Sequence, residues 1–230
     1  MVDPNDRKGA GGGGFRIRDC ALIGQATGRR AQNLRELREG LTYVHSASIY
    51  HHIWGRLLRP TFDEPEYNND FAAWCSHALH DRALAERLSA INSAEYGRLE
   101  DLRQELLDII ETRLDEEEVI PWAQADQQFY FLRSTTIVFD TDHVVKRPED
   151  FPEALSHMSV GSVFYHFIDA RRRTPDSVDD FSAWLADFAG AYAPLMERIN
   201  AIDPWFSSLA QLRRRLGRIF TEYFHTGTKG

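Results

Sequence analysis

The sequence predicts a mainly α protein made of two tandem repeats, each one strand followed by about four helices. The two strands are expected to meet across an internal pseudo-twofold axis. Three observations lead there. Sliding the chain against itself by 114 residues brings Phe15 onto Phe129, Thr27 onto Thr141, Glu39 onto Glu153 and Leu41 onto Leu155. The same ungapped offset pairs Ser48 with Ser162 and His52 with His166. Beyond a loop that is shorter in the second copy, "NDFAAW" from Asn69 falls on "DDFSAW" from Asp179, which pairs Asp70 with Asp180, Phe71 with Phe181 and Trp74 with Trp184. Both copies also pass from an aromatic, β-branched opening into helical spacing.

The resulting division is a polar, glycine-rich tail at 1–14, a first unit at 15–118, a linker at 119–128, a second unit at 129–225 and a tail at 226–230. The first tail reads as disordered, because it has no apolar surface to bury. Its glycine run is not a dinucleotide loop, since no strand precedes it and "FRIRDCALI" follows instead of a helix. The opening strands are expected over Phe15–Ile23 and Phe129–Phe139. "GQATGRRAQN" from Gly24 then reads either as a turn with Thr27 as a cap or as an anion site, with Arg29 and Arg30 near a helix start.

Leu34, Leu37, Leu41, Val44 and Ser48 recur at helical spacing and suggest one helix from Leu34 to Arg59. Phe151, Leu155, Met158 and Ser162 repeat the pattern, with Pro148 and Pro152 suited to a first turn. "SVDDF" suggests a cap at Ser177. A last long helix carries Leu99, Leu102, Leu106 and Ile109 in one copy and Leu209, Leu212, Leu216 and Ile219 in the other. A lone strand leaves backbone groups unpaired, so the two strands are expected to pair with each other.

Composition narrows the function. The 230 residues carry a net charge of -8, which opposes general affinity for nucleic acid. No run is long and apolar enough to span a membrane, and the N-terminus lacks the apolar core of a signal peptide. The only cysteines, Cys20 and Cys75, fit free thiols in a reducing compartment. A soluble, cytoplasmic protein is the expectation.

"SIYHHIWGR" from Ser48 holds adjacent histidines, His51 and His52. Ser48 and His52 lie one helical turn apart and recur as Ser162 and His166, whereas His51 is replaced by Tyr165. With Asp70 and Asp180 they invite a nucleophile–base–orienter reading, making Ser48, His52 and Asp70 the catalytic candidates. The opposing reading is architectural: helical serine bonding a carbonyl, histidine closing a buried polar contact, aspartate in a first turn. Ser48, His51, His52, Ser162, His166, Arg29 and Arg30 are the binding candidates. Ser48, His52, Ser162 and His166 would line a pocket if the axis brings them together.

A metal reading draws on His51, His52, Asp70, His77 and His80, whose donors suit zinc, iron or nickel. The pattern matches neither His-Glu-x-x-His nor a di-iron motif, and Asp187 and Gly190 replace His77 and His80 in the second copy. No cofactor is therefore favoured, with a divalent metal as the alternative.

"ATGRRAQNLREL" from Ala26, "SIYHH" and "NDFAAW" resemble the pattern of an uncharacterised prokaryotic domain-of-unknown-function family. The resemblance spans nearly the whole first copy and parts of the second, and it implies no activity and no site residues. In layout, polar histidines inside a four-helix unit are similar to the metal-binding DinB-like bundles, a likeness of fold only. The reading that follows is a binding or accessory protein for a small ligand or a protein partner, without chemistry of its own. It would be a monomer with an internal pseudo-dimer, or a weak homodimer. The alternative is a metal-assisted hydrolase or transferase using the first copy's histidines.

Overall fold

The computed structural model describes residues 13–59, 66–116, 123–174, 177–202 and 208–226. Most of the expected first tail, residues 119–122 of the expected linker, and residues 227–230 lie outside them. No helix among the described residues is long and apolar enough to cross a membrane.

Two strands, β1 (Phe15–Ala31) and β2 (Phe129–Val145), are each 17 residues long. They share one burial pattern at every position but the fifth. They form a two-stranded antiparallel sheet, so the pairing is direct and not across an axis as expected. Thr27 Oγ1 donates to the Phe131 carbonyl at 2.7 Å, and Thr141 Oγ1 to that of Ile17 at 2.6 Å. Thr27 is thus a strand residue rather than a helix cap, and "GQATGRRAQN" is mostly strand. Its polar composition hid this, because backbone pairing to a partner overrides weak local propensity. Gly28 and Asp142 occupy matching positions with left-handed φ of 78° and 59°. Aspartate tolerates that region better than most residues, so the second strand does without the glycine.

The chain divides into two compact units whose boundaries fall inside both strands: Leu22–Ile137, and Met1–Ala21 with Val138–Gly230. They differ from the segments 15–118 and 129–225, because the opening of each strand is held by the helices that follow the other strand.

In the unit Leu22–Ile137, α1 (Leu34–Tyr43) starts at Asn33, whose side chain accepts the Glu36 N–H. Glu36 reaches back to the Gln32 N–H, which closes a capping box one residue wider than usual. The single helix expected from Leu34 to Arg59 is interrupted, since Val44 is extended and α2 (Ser46–Trp54) restarts after His45. Arg103 fills the break by donating to the Leu41 and Val44 carbonyls, which the end of α1 leaves without helical partners. A 3₁₀ turn (Gly55–Leu58) follows, then α3 (Asp70–His77), α4 (Arg82–Ser89), a 3₁₀ turn (Ser93–Glu95) and α5 (Leu99–Glu116). Leu34, Leu37, Leu41, Phe71, Leu84, Leu88, Leu102, Leu106 and Ile110 form the core. Phe129 of β2 enters it, stacked on Phe71 at 5.2 Å and edge-on to Trp74 at 5.8 Å. A Cβ at Gly40 would overlap the Phe131 ring, so that helix position must be glycine for the strand to approach.

The other unit runs through a 3₁₀ turn (Pro148–Asp150), α6 (Phe151–His157) and α7 (Val160–Val163). A π-helical stretch (Phe164–Asp169), α8 (Ala170–Arg173), α9 (Asp180–Ala186), α10 (Ala193–Asn200) and α11 (Leu209–Thr226) complete it. Both units thus contain more and shorter helical pieces than the expected four. The α9 cap is Asp179, which accepts the Ser182 N–H at 2.9 Å. Ser177 sits outside the helix at a φ of 53° and does not cap it. Phe15 of β1 enters this core as Phe129 enters the other, 5.2 Å from Phe181 and 5.1 Å from Phe151. Burying one such ring contributes roughly 2–3 kcal/mol by area.

Candidate functional site

The α2 face that carries Ser48 and His52 lies against β2. Ser48 Oγ donates to the Leu132 carbonyl at 2.6 Å, and the Leu132 N–H donates to His52 Nε2 at 3.0 Å. One serine–histidine pair therefore satisfies both backbone groups of one strand residue, as a neighbouring strand would. A strand edge pressed against a helix needs such partners, because unpaired buried backbone groups are costly. Since Nε2 accepts from an N–H, the imidazole proton must be on Nδ1, which lies 3.0 Å from Asp70 Oδ2. Burial lowers the His52 pKa, and the bond to Asp70 only partly offsets it. His52 is a neutral imidazole with both nitrogens engaged.

His51 points the other way, into the same unit. Its Nδ1 lies 2.6 Å from Ser134 Oγ and its Nε2 accepts from Arg59 Nη2 at 2.8 Å. Guanidinium can only donate, so His51 also carries its proton on Nδ1. Its ring lies close to two glycines: a Cβ at Gly24 would stand 3.2 Å from Cε1, and one at Gly55 would stand 3.6 Å from Nδ1. Burial first, then neighbouring His52 and Arg59, lowers its pKa to about 4. Arg59 Nη2 also donates to Asp70 Oδ2 at 3.2 Å, and Arg56 Nη1 is 4.0 Å from Asp70 Oδ1. Burial pushes the Asp70 carboxyl up, but His52, Arg59 and Arg56 outweigh it and hold it below the usual range.

The unit that contains β1's opening repeats the histidine arrangement. The Arg18 N–H donates to His166 Nε2 at 2.8 Å, and His166 Nδ1 lies 2.7 Å from Asp180 Oδ2. Arg173 Nη2 donates to Asp180 at 2.9 Å, as Arg59 does to Asp70. The surroundings differ. Tyr165 stands where His51 does, and the Arg173 guanidinium lies 3.9 Å over its ring. Arg173 Nε also donates to Asp169 at 3.0 Å. Ser162 serves locally, its N–H and hydroxyl both bonded to Ser159 Oγ.

These geometries sort the candidate residues. Ser48 gives its proton to a carbonyl and not to His52, so the Ser48–His52–Asp70 triad does not form. Ser48 and His52, and likewise Ser162 and His166, find their partners inside their own units. His77 pairs with Glu66 at 3.1 Å and exposed His80 with Asp126 at 2.6 Å, so neither joins the metal set proposed from the sequence. His51, His52 and Asp70 do converge, with one donor atom from each within 4.8 Å of the others. The proton positions oppose a metal there: ligation at His52 Nδ1 would force a proton onto Nε2, against the Leu132 N–H, and His51 Nε2 faces a guanidinium. Arg29 lies on exposed strand, 5.8 Å over the Tyr43 ring, and Arg30 reaches Gln128 at 3.4 Å.

Residues beyond the sequence candidates complete the picture. Arg59 and Arg173 share the offset of the histidines, so internal comparison could have found them. Ser134 and the backbone of Leu132 and Arg18 carried no signal, because they act from the strand that belongs to the other half of the sequence.

Fold and site define a helix-rich protein in which buried histidine–aspartate pairs fasten two long strands to helical units. The chain belongs to DUF5752, a family of unknown function, whose model matches residues 12–221. It is similar to the solved structure of OrfY from Thermoproteus tenax, with 32% identity and a TM-score of 0.78, covering 90% of this chain and 94% of that one. A search of curated proteins found no match.

Proposed function

We propose that this is a binding or accessory protein with no chemistry of its own, built by tandem duplication, with its histidines serving the architecture. The observation that carries the reading is the double engagement of His52, which leaves no nitrogen free to take a substrate proton. His166 supports it by repeating both bonds. The matched burial patterns of the strands support the duplication. A small ligand or a protein is the expected partner. The net charge of -8 argues against nucleic acid, and the two buried, free cysteines suit a cytoplasmic location.

The metal-assisted hydrolase or transferase is the second reading, and the convergence of His51, His52 and Asp70 is what favours it. Metal analysis separates the two. Purified full-length protein titrated with zinc, ferrous iron and nickel is expected to retain no stoichiometric metal and to show no rise in Tm. One bound equivalent, lost in His51→Ala and His52→Ala, would establish the metal reading instead.

A further inference from the structure

Charge in the unit Leu22–Ile137 is unbalanced at one place. Arg56 and Arg59 both reach toward Asp70, from opposite carboxylate oxygens. His51 and His52 are neutral by their hydrogen bonding, so two guanidiniums face one carboxylate. The Arg56 side chain is 25% exposed and has no hydrogen bond among the described residues; its one ion contact is the 4.0 Å approach to Asp70. Among the described residues Arg59 hydrogen-bonds through Nη2 alone, and its side chain is 46% exposed. Both guanidiniums reach solvent, so their unused N–H groups are open to an incoming oxygen acceptor.

The other unit shows that the fold does not require this surplus. At the positions matching Gly55 and Arg56 stand Asp169 and Ala170, and Arg173 is consumed by Asp169, Asp180 and Tyr165. There Arg173, the counterpart of Arg59, has two carboxylates of its own. Beside Arg56, glycine takes the place of the carboxylate, and His51 holds Arg59 Nη2 from the side opposite Asp70.

We propose that Arg56 and Arg59, pinned by Asp70 and His51, form a binding site for a small oxyanion: phosphate, a phosphate ester or a carboxylate. Asp70 anchors the two cations without neutralising both, and the planar donor edges left free match the oxygens of such a group. This rests on the binding reading above and names the ligand class for it.

The test is calorimetric titration of the full chain with inorganic phosphate, glycerol phosphate and acetate in turn, at low ionic strength. Wild type is expected to bind at one site, and the strongest of the three anions identifies the source. Arg56→Ala and Arg59→Ala are expected to weaken it at least about tenfold, while Arg215→Ala, on an exposed helix face, leaves it unchanged. Arg56→Ala makes no hydrogen bond that folding would miss, so its Tm without ligand should match wild type. No binding by any of the three anions, or equal weakening by Arg215→Ala, overturns the oxyanion site. That failure would leave the accessory-protein reading standing, which falls only to the metal result.

Discussion

The units Leu22–Ile137 and Met1–Ala21 with Val138–Gly230 fasten a strand in the same way and differ in what lies beside the fastening. His52 and His166 each accept one strand N–H and each engage one aspartate. Next to His166, Tyr165, Asp169 and Arg173 form a closed set in which the cation has a ring, a backbone carbonyl and two carboxylates. Next to His52, His51, Gly55, Arg56 and Arg59 leave cationic donors unspent. On the proposed reading, what occurs in both units serves the architecture, and what occurs in one is where a particular function should be sought.

The largest effect is expected where the two units agree. His52→Ala strands the Leu132 N–H and takes one partner from the Asp70 carboxylate, and His166→Ala does the same to the Arg18 N–H and Asp180. Each should cost about 3 kcal/mol in urea denaturation, within the range for a buried polar network that loses a partner. Near-equal losses sharpen the comparison. A loss under about 1 kcal/mol at either position breaks it, because that histidine would not be holding its strand.

A smaller effect is expected where they differ. The folded His51 pKa of about 4 lies below its unfolded value near 6.5, so between these values the unfolded chain holds more protons. Stability is therefore complete above about pH 6.5 and falls as pH drops toward 4, by on the order of 2–3 kcal/mol from this residue. The lowered pKa of Asp70 adds a loss only at more acid pH, below the ordinary carboxylate value. His51→Gln should flatten the slope between pH 6.5 and 4, measured by denaturation across that range. An unchanged slope would place the acid sensitivity elsewhere.

Much of this was legible in the sequence, for reasons that the particular residues make clear. The offset of 114 residues separated His52 from His51 before any geometry was known, since Tyr165 replaces only the latter. Long buried helices such as α5 and the aromatic openings of both strands carried strong periodicity. The second halves of the strands did not, because exposed strand on a two-stranded sheet has no apolar alternation to betray it. The break at Val44 escaped notice because Arg103, far along the chain, supplies the donors that allow it. The axis failed as an expectation because the strands pair directly. Likewise the triad failed because the partner of both Ser48 and His52 is a backbone unit, which no side-chain motif records.

The most direct measurement is ¹⁵N–¹H NMR of the imidazole nitrogens through a pH titration, with His52 assigned by comparison with His52→Gln. The account predicts a neutral ring at pH 7 with its proton on Nδ1, and with Nε2 shifted as a hydrogen-bond acceptor. That state should persist below the ordinary histidine pKa, the direction in which burial moves this group. A proton on Nε2 at pH 7, or a ring that charges at or above pH 6.5, would contradict it.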